Sequence, residues 1–316
     1  MIVGYTRHHN ARFVCELCPA QTGFLSPCSY LDCRSDANYS KAPISTDLYI
    51  SSTESDKRSP WLTIPDFSIE QQKDCLQHIL YASGIGSDIS AGTLKSLLLS
   101  GVYGDGELPD RITTLHEVYT DSSFNTDGRE ARQFTIRRLG MTAKNKHPSW
   151  QAAYKHGHVK TFLHFAASES ARRQRDVFEQ LIFTCVSSLS GFVKFLEFCA
   201  PVLDDWEREH AVVLGQKFLD TYTILLRLDF NRRGSLGYEA LFKPRPKLHS
   251  LWHHVDCLRS SCINCIVMFS CWQEEDFMGK IARIARRVHM RRVAERCLFR
   301  YSLLLHSNMI KSAELS

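Results

Sequence analysis

Four cysteines near the start of the chain have the spacing of a metal site. Two residues separate Cys15 from Cys18, and Cys28 and Cys33 follow after a short loop. A Cys-x-x-Cys turn points two sulfurs at one tetrahedral ion, and a second pair can complete the coordination. Because this region has no visible apolar core, a bound ion would supply much of its folding free energy. The spacing predicts a structural zinc site at Cys15, Cys18, Cys28 and Cys33.

Two other interpretations of these thiols stay open. Only Cys15 and Cys18 face each other in one, and all four are unligated in the other. A redox role for the first pair is less favoured, because the two cysteines do not open a helix after a clear strand. A second group of thiols and histidines has a looser, weaker metal-like spacing: Cys257, Cys262, Cys265, Cys271, His253 and His254.

Carboxylates form a second kind of candidate site. Asp74 stands four residues before His78, a spacing that places both side chains on one face if the segment is helical. Glu274 and Glu275 lie in an acidic run near the end of the chain. Two carboxylates from distant segments can share a divalent ion. The periodicity itself favours a plainer interpretation, with Asp74 on a solvated helix and the acidic pair at a helix N-terminus.

Positive charge is concentrated near the end of the chain. The net charge is only +5, yet the stretch 280–300 has eight Lys or Arg against one acid. A basic face of this kind is typical of a protein that contacts the phosphates of nucleic acid, although such residues also form solvated faces. The predicted contacts to the DNA backbone come from Lys280, Arg283, Arg286, Arg287, Arg291, Arg292 and Arg296.

Composition limits the class of protein. The chain has 316 residues, of which 44% are hydrophobic and 23% charged, as in ordinary soluble globular proteins. No apolar run reaches the roughly 18 residues of a membrane span, so no membrane partner is expected. The first residues lack a hydrophobic signal core. We therefore expect an intracellular protein whose twelve cysteines are metal ligands and buried thiols rather than disulfides.

Hydrophobic periodicity predicts a mainly α fold. Apolar residues recur at helical spacing over 159–167, 177–198 and 206–228, and Asp204 or Asp205 offers an N-cap for the last of these. Further helices are predicted to start near Ser68 and Ser90. The stretch 35–59 has the composition of a loop. The sequence thus predicts a cysteine-rich segment over 1–60 with a zinc knuckle, followed by a helical domain over 61–316 that ends in a basic helix.

The order of several short segments resembles a group of mobile-element proteins found in many copies in protist genomes. These segments are Cys15–Cys18, Trp61–Pro65, Asp74–Gly86, His147–Trp150, Lys243–His249 and Glu274–Lys280. They are similar, more distantly, to the later part of cut-and-paste DNA transposases of the CACTA and Plavaka type. In those enzymes the corresponding segments belong to a ribonuclease-H-like catalytic core.

The resemblance implies roles for particular residues. Asp74 would be a metal-binding carboxylate, Glu275 or Glu274 the closing one, and His78 and His249 supporting residues, with magnesium or manganese as the ion. The first catalytic Asp of such a core belongs on an upstream strand, and no strand carrying one is predicted here. The resemblance therefore implies a catalytically incomplete transposase fragment.

Three functions follow as hypotheses. The leading one is a zinc-containing DNA-binding protein of mobile-element origin, expected in the nucleus. The second is an active metal-dependent nuclease or transposase. The third is a helical interaction module whose basic helix meets an acidic protein.

Overall fold

The computed structural model describes most of the first 271 residues and scattered positions beyond them. The described residues are 12–23, 25–55, 58–71, 73–125, 133–142, 147–150, 154, 156–236, 240–271, 292, 295–296, 298–300 and 302–303. The chain divides into two compact units, Met1–Ser270 and Cys271–Ser316. The first unit holds the cysteine-rich segment together with the helices that follow it.

The fold is mainly helical, as predicted. The part of the chain that the structure describes has isolated β-bridges but no β-strand. Three short 3₁₀ helices cover Asn38–Lys41, Pro60–Thr63 and Ile69–Gln71. The α-helices are α1 Thr46–Ser52, α2 Leu76–Leu80, α3 Ile85–Leu99, α4 Leu108–Thr120, α5 His156–Ser170, α6 Val177–Phe198, α7 Asp205–Leu236, α8 Lys247–Ser260 and α9 Cys265–Met268.

The long helices form the core of the first unit. Helix α6 packs against α7, α7 against α8, and α5 against both α3 and α6. The three helices predicted from periodicity are confirmed as α5, α6 and α7. Asp204 caps α7 as predicted: its carboxylate accepts from Glu207 N–H at 2.7 Å, and the Glu207 carboxylate accepts from Asp204 N–H at 3.0 Å. This reciprocal pair is a capping box, which fixes the start of the longest helix.

Helix α6 is long and apolar enough to cross a membrane by length and composition. Half of its most apolar stretch is buried inside the protein. Residues along it, such as Cys185, Leu189 and Phe192, are fully buried in the core. A long, apolar helix with many buried residues is also characteristic of a protein core.

Two sequence-based expectations about local structure are wrong. The stretch predicted as a loop over 35–59 contains a 3₁₀ helix and α1. Helix α1 is capped by the Ser45 hydroxyl, which accepts from Leu48 N–H. The helix predicted to begin at Ser90 begins at Ile85 instead. The Ser90 hydroxyl donates to the carbonyl of Gly86 at 2.5 Å, so it bonds within the helix rather than capping it.

The segment before α8 is held against the core by buried polar contacts. The Asp229 carboxylate accepts from the N–H groups of Leu241 and Phe242 at 3.1–3.2 Å. Gly92 of α3 allows this close approach, because a Cβ there would lie 2.6 Å from the carbonyl oxygen of Leu241. Arg245 then donates two hydrogen bonds to the buried carboxylate of Asp88 on α3.

Lys247 completes this anchor at the first residue of α8. Its ammonium donates to the carbonyls of His78 and Ala82, at 2.7 and 2.8 Å. These carbonyls lie at the C-terminal end of α2, where a cation satisfies unpaired acceptors and the helix dipole. The basic residues Arg245 and Lys247 therefore serve the fold. They position α8 and are separate from the basic stretch over residues 280–300.

Loss of the Arg245 side chain should destabilise the first unit strongly. Asp88 has 1% of its side chain exposed, so Arg245→Ala leaves a buried carboxylate without its guanidinium. Removing one partner of a buried ion pair costs about 3–5 kcal/mol. We expect a loss of that size in the free energy of unfolding measured with urea.

The matched control for this prediction is Arg34→Ala. Arg34 pairs with Asp32 but is largely exposed, and exposed pairs contribute only about 0–1 kcal/mol. Equal, small losses in the two variants would show that the Asp88–Arg245 pair does not anchor α8.

A buried histidine joins α5 to α6. His164 Nδ1 lies 2.8 Å from the hydroxyl of Ser190, and the ring is 8% exposed. Burial, followed by charge repulsion from Lys194 and Lys160, lowers the pKa of His164 to about 3. The folded protein therefore holds the ring neutral across most of the acidic range.

This histidine predicts an acid-dependent loss of stability. The unfolded chain binds a proton at His164 below about pH 6.5, whereas the folded chain resists it until its pKa of about 3. The stabilisation is thus complete above pH 6.5 and declines as the pH falls toward 3. In urea unfolding at successive pH values, His164→Gln should lose less stability across this window than the wild type. Parallel curves for the two proteins would contradict the assignment.

Candidate metal centre

A tight turn presents the first two cysteines. Val14 N–H donates to the carbonyl of Ala20 at 3.0 Å, and Phe13 and Gln21 form an antiparallel bridge. The loop between these contacts carries Cys15 and Cys18. The backbone N–H of Leu17 donates to Cys15 Sγ at 3.3 Å, and such N–H donors favour a thiolate over a thiol. The short-range sequence thus shapes a loop that holds two sulfurs together.

Helix α8 supplies two histidines to the same point. His249 and His253 are four residues apart, so they lie on one side of the helix. The neighbouring residues Leu248, Leu251 and Trp252 are buried in the core and set the rotation of the helix. The start of α8 is anchored to α2 and α3. With the start and the rotation of the helix both fixed, its two imidazoles face the cysteine loop.

The four side chains form one compact group. Cys15 Sγ lies 3.3 Å from His253 Nε2, and Cys18 Sγ lies 3.1 Å from His249 Nε2. The two imidazole Nε2 atoms are 3.0 Å apart. All four ligand atoms lie within 4.8 Å of one another. Cys15, Cys18, His249 and His253 could therefore hold a metal ion.

The protonation states of the cluster suit metal binding. The pKa of Cys15 is held well below its usual range, first by a hydrogen bond with Cys18 and then by His249 and His253, although burial opposes the shift. Burial lowers the pKa of His249. Metal ions bind thiolates and neutral imidazoles, which are the forms that these shifts favour.

Aromatic packing orients the His249 ring. Tyr39 contacts it edge-on with ring centroids 4.6 Å apart, and Trp252 stacks nearly parallel to it at 5.9 Å. Its Nδ1 atom is buried, and among the described residues it has no hydrogen-bond partner. Packing thus performs the orienting task that an outer hydrogen bond performs at many metal sites.

The structure places the other two predicted ligands outside this cluster. Cys33 is buried, its Sγ lies 3.9 Å from the carbonyl of Tyr30, and burial raises the pKa of its thiol to about 12. Cys28 is half-buried, and its carbonyl accepts from Gln21 N–H at 2.8 Å. Cys33 contributes to the packing of the cysteine-rich segment, and Cys28 contributes to its backbone hydrogen bonds. The metal-like group therefore contains half of the predicted ligands, and histidines take the other two places.

Sequence reasoning did not group His249 and His253 with the cysteines. The resemblance implies a supporting role for His249, and the spacing along the sequence groups His253 with the later thiols. The available signal was a His-x₃-His pair on a predicted helix, which is a common metal-ligand spacing. The ligands lie 231 and 238 residues from their cysteine neighbours. No local pattern joins segments so far apart.

The later thiols have different surroundings. Cys265 is buried, and burial raises the pKa of its thiol to about 12, as expected of a core cysteine. Cys262 is exposed. His254 Nε2–H donates to the carbonyl of Asp74 at 2.8 Å, and burial lowers the pKa of His254 to about 4. Thus His254 contacts the backbone beside α2 rather than the cysteine–histidine cluster.

Asp74 does not share a helix with His78. It precedes Cys75, the N-cap of α2, because His254 holds its carbonyl and Ser250 donates to its carboxylate at 2.5 Å. The predicted i,i+4 pairing is therefore wrong.

Near Ser68 only a 3₁₀ helix forms, although Gln71 accepts from Ser68 N–H as in a capping box. The carboxylates of Glu274 and Glu275 lie outside the described residues.

Most of the predicted DNA-contacting residues also lie outside the described residues, namely Lys280, Arg283, Arg286, Arg287 and Arg291. Arg292 and Arg296 are exposed, as is Arg300. Arg296 and Arg300 have helical backbone, whereas Arg292 lies in a 3₁₀ turn.

No protein-family model, curated protein or solved structure matches the chain. The resemblance to mobile-element proteins stays a prediction from the short segments given above.

The geometry predicts which substitutions abolish metal binding. His249→Ala and Cys15→Ser each remove one of four converging ligands, and incomplete coordination typically weakens binding by orders of magnitude. We expect about one metal ion per chain in the purified protein by elemental analysis, and loss of most of it in both variants.

Cys28→Ser is the matched control. It changes a cysteine of the same segment that lies outside the cluster, so the metal content should stay near that of the wild type. If Cys28→Ser loses the metal and His249→Ala keeps it, the original all-cysteine site is correct and the mixed site is not.

Proposed function

We propose that the protein is a zinc-stabilised, DNA-binding protein of mobile-element type. In it, zinc bound by Cys15, Cys18, His249 and His253 holds the cysteine-rich segment on α8. The basic stretch over residues 280–300 contacts the DNA backbone. The convergence of two thiols and two imidazoles within 4.8 Å is the observation that carries the zinc assignment.

The donor set favours zinc over other common ions. Two sulfurs and two imidazole nitrogens are typical of closed, structural zinc sites, whereas magnesium and calcium prefer oxygen. Metal–ligand distances of about 2.0–2.3 Å place the ligand atoms of a tetrahedron roughly 3.3–3.8 Å apart. Four of the six separations between the ligand atoms are 3.0–3.6 Å, and all six are within 4.8 Å, so a small adjustment would accommodate the ion.

All four positions of a zinc tetrahedron would be filled by protein. A catalytic zinc keeps one position for water or substrate, so this donor set supports a structural role. The zinc would link residues more than 230 positions apart in sequence. Such a link restricts the unfolded chain and stabilises the fold, as a cross-link closing a long loop does.

The DNA-binding part of the proposal rests on charge. Eight Lys or Arg against one acid within 280–300 would release counterions from DNA phosphates, which is the main source of non-specific affinity. The exposed guanidinium groups of Arg292, Arg296 and Arg300 support this role. The basic residues before α8 are excluded from it, since Arg245 and Lys247 already bond within the fold.

Binding to random duplex DNA should weaken steeply as salt rises. Each phosphate contact contributes about 0.9 to the slope of log affinity against log salt. The double variant Arg292→Ala/Arg296→Ala should therefore lower the slope by roughly 2. Fluorescence anisotropy with a labelled duplex of random sequence, at several salt concentrations, measures this slope.

A charge-matched control is Arg34→Ala/Arg172→Ala, which removes two exposed arginines from the first unit. Its slope should equal that of the wild type. A wild type indifferent to DNA would contradict the proposal and favour the protein-interaction module. Metal-dependent nicking of DNA that Glu275→Ala abolishes would instead favour the nuclease.

A further inference from the structure

The two cysteines of the metal cluster differ in accessibility. The residue Cys15 is half-buried, whereas Cys18 is 2% exposed. Both sulfurs belong to the group whose atoms lie within 4.8 Å of one another. A Cys-x-x-Cys pair at this range can close into a disulfide with modest movement. Closure would remove two of the four ligands in one event.

We propose that this centre is a redox-controlled clasp, in which a hydroperoxide oxidises Cys15 and Cys18 to a disulfide and thereby releases the metal. The inference rests on the proposed metal site and adds its regulation. Cys15 reacts first because, of the two residues, it is the less buried. Cys18 then acts as the resolving cysteine.

The chemistry balances with a hydroperoxide as the only oxidant. The Cys15 thiolate attacks one peroxide oxygen, the O–O bond breaks, and a sulfenic acid forms as hydroxide or alkoxide leaves. The Cys18 thiolate attacks the Cys15 sulfur, the S–S bond forms, and the S–O bond breaks with loss of hydroxide. The two thiolates lose two electrons and the peroxide gains them. Two protons from solvent complete water and either a second water or an alcohol.

The link involves only the first part of the cysteine-rich segment. The cluster joins the loop around Cys15 and Cys18 to α8. Residues 31–39 have further anchors: Trp252 Nε1 donates to the carbonyl of Arg34 at 3.1 Å, and Gln216 donates to the carbonyl of Cys33 at 2.9 Å. Tyr39 is fully buried. Oxidation should therefore detach the loop from α8 and leave residues 31–39 in place.

Other thiols of the first unit provide internal comparisons. Cys185 is fully buried on α6, and burial raises the pKa of its thiol. Buried thiols of this kind react slowly. Cys262 is exposed and lies outside the cluster, so its oxidation reports general attack by the peroxide rather than the clasp.

The test uses the full chain after its zinc content has been measured in reducing buffer. A protein without zinc at this stage would contradict the proposed function. With zinc bound, the protein is titrated with hydrogen peroxide. A chromophoric chelator follows metal release, and mass spectrometry identifies the disulfide. Hydrogen exchange follows the backbone of residues 13–21, with residues 31–39 as reference.

The expected result is one metal released per Cys15–Cys18 disulfide. Exchange should become about tenfold faster or more in residues 13–21, because local opening controls it, and should change little in 31–39. Thiol reductant and added zinc should reverse both effects. Cys262→Ser should behave as the wild type.

A ligand-preserving variant separates oxidation from simple loss of metal. Cys15→His keeps four possible ligands but cannot form the disulfide, so its metal should stay bound at peroxide levels that empty the wild type. Retention of zinc by the wild type while Cys262 is oxidised would overturn the inference. Equal release from wild type and Cys15→His would overturn it too. Should this variant fail to fold, the ratio of released metal to Cys15–Cys18 disulfide in the wild type decides the question.

Discussion

The position of α8 is the constraint on which the candidate site depends. Its first turn is fixed by Arg245 against the buried Asp88 and by Lys247 on the end of α2. Its middle is fixed by the burial of Leu248, Leu251 and Trp252. With both the start and the rotation set, His249 and His253 point at the cysteine loop. A helix free to slide or turn by one residue would carry both imidazoles away from the sulfurs.

Each contribution to this arrangement is weak by itself. The cysteine loop has little secondary structure beyond a bridge and a few backbone hydrogen bonds. The later residues 31–39 are held on α7 and α8 by hydrogen bonds from Gln216 and Trp252 to backbone carbonyls. Individual hydrogen bonds of this type contribute only about 1 kcal/mol each. A metal ion bound at the cluster would therefore add a large share of the energy that holds the loop on α8.

The basic residues in the last third of the chain lie in two different environments. Those just before α8 are partly buried and pair with a carboxylate or with helix-end carbonyls, so their charge is already used. The described arginines of the second unit are exposed. This distinction matters for the proposed function, because only charges open to solvent can exchange counterions for DNA phosphates. The sequence alone presents both sets as one basic region.

The sequence by itself determined the helical character of the protein. Helices α5, α6 and α7 follow from apolar residues at a spacing of three and four, and the start of α7 from a capping pair three residues apart. These signals extend over only a few residues, so they can be recognised in the sequence without a structure. The same holds for the Cys15–Cys18 turn. Tertiary structure alone decided the other half of the site. Cys33 entered the core and kept its proton, while His249 and His253 came from a helix more than 230 residues away. Packing of the whole unit brought them there, and no local spacing encodes that distance.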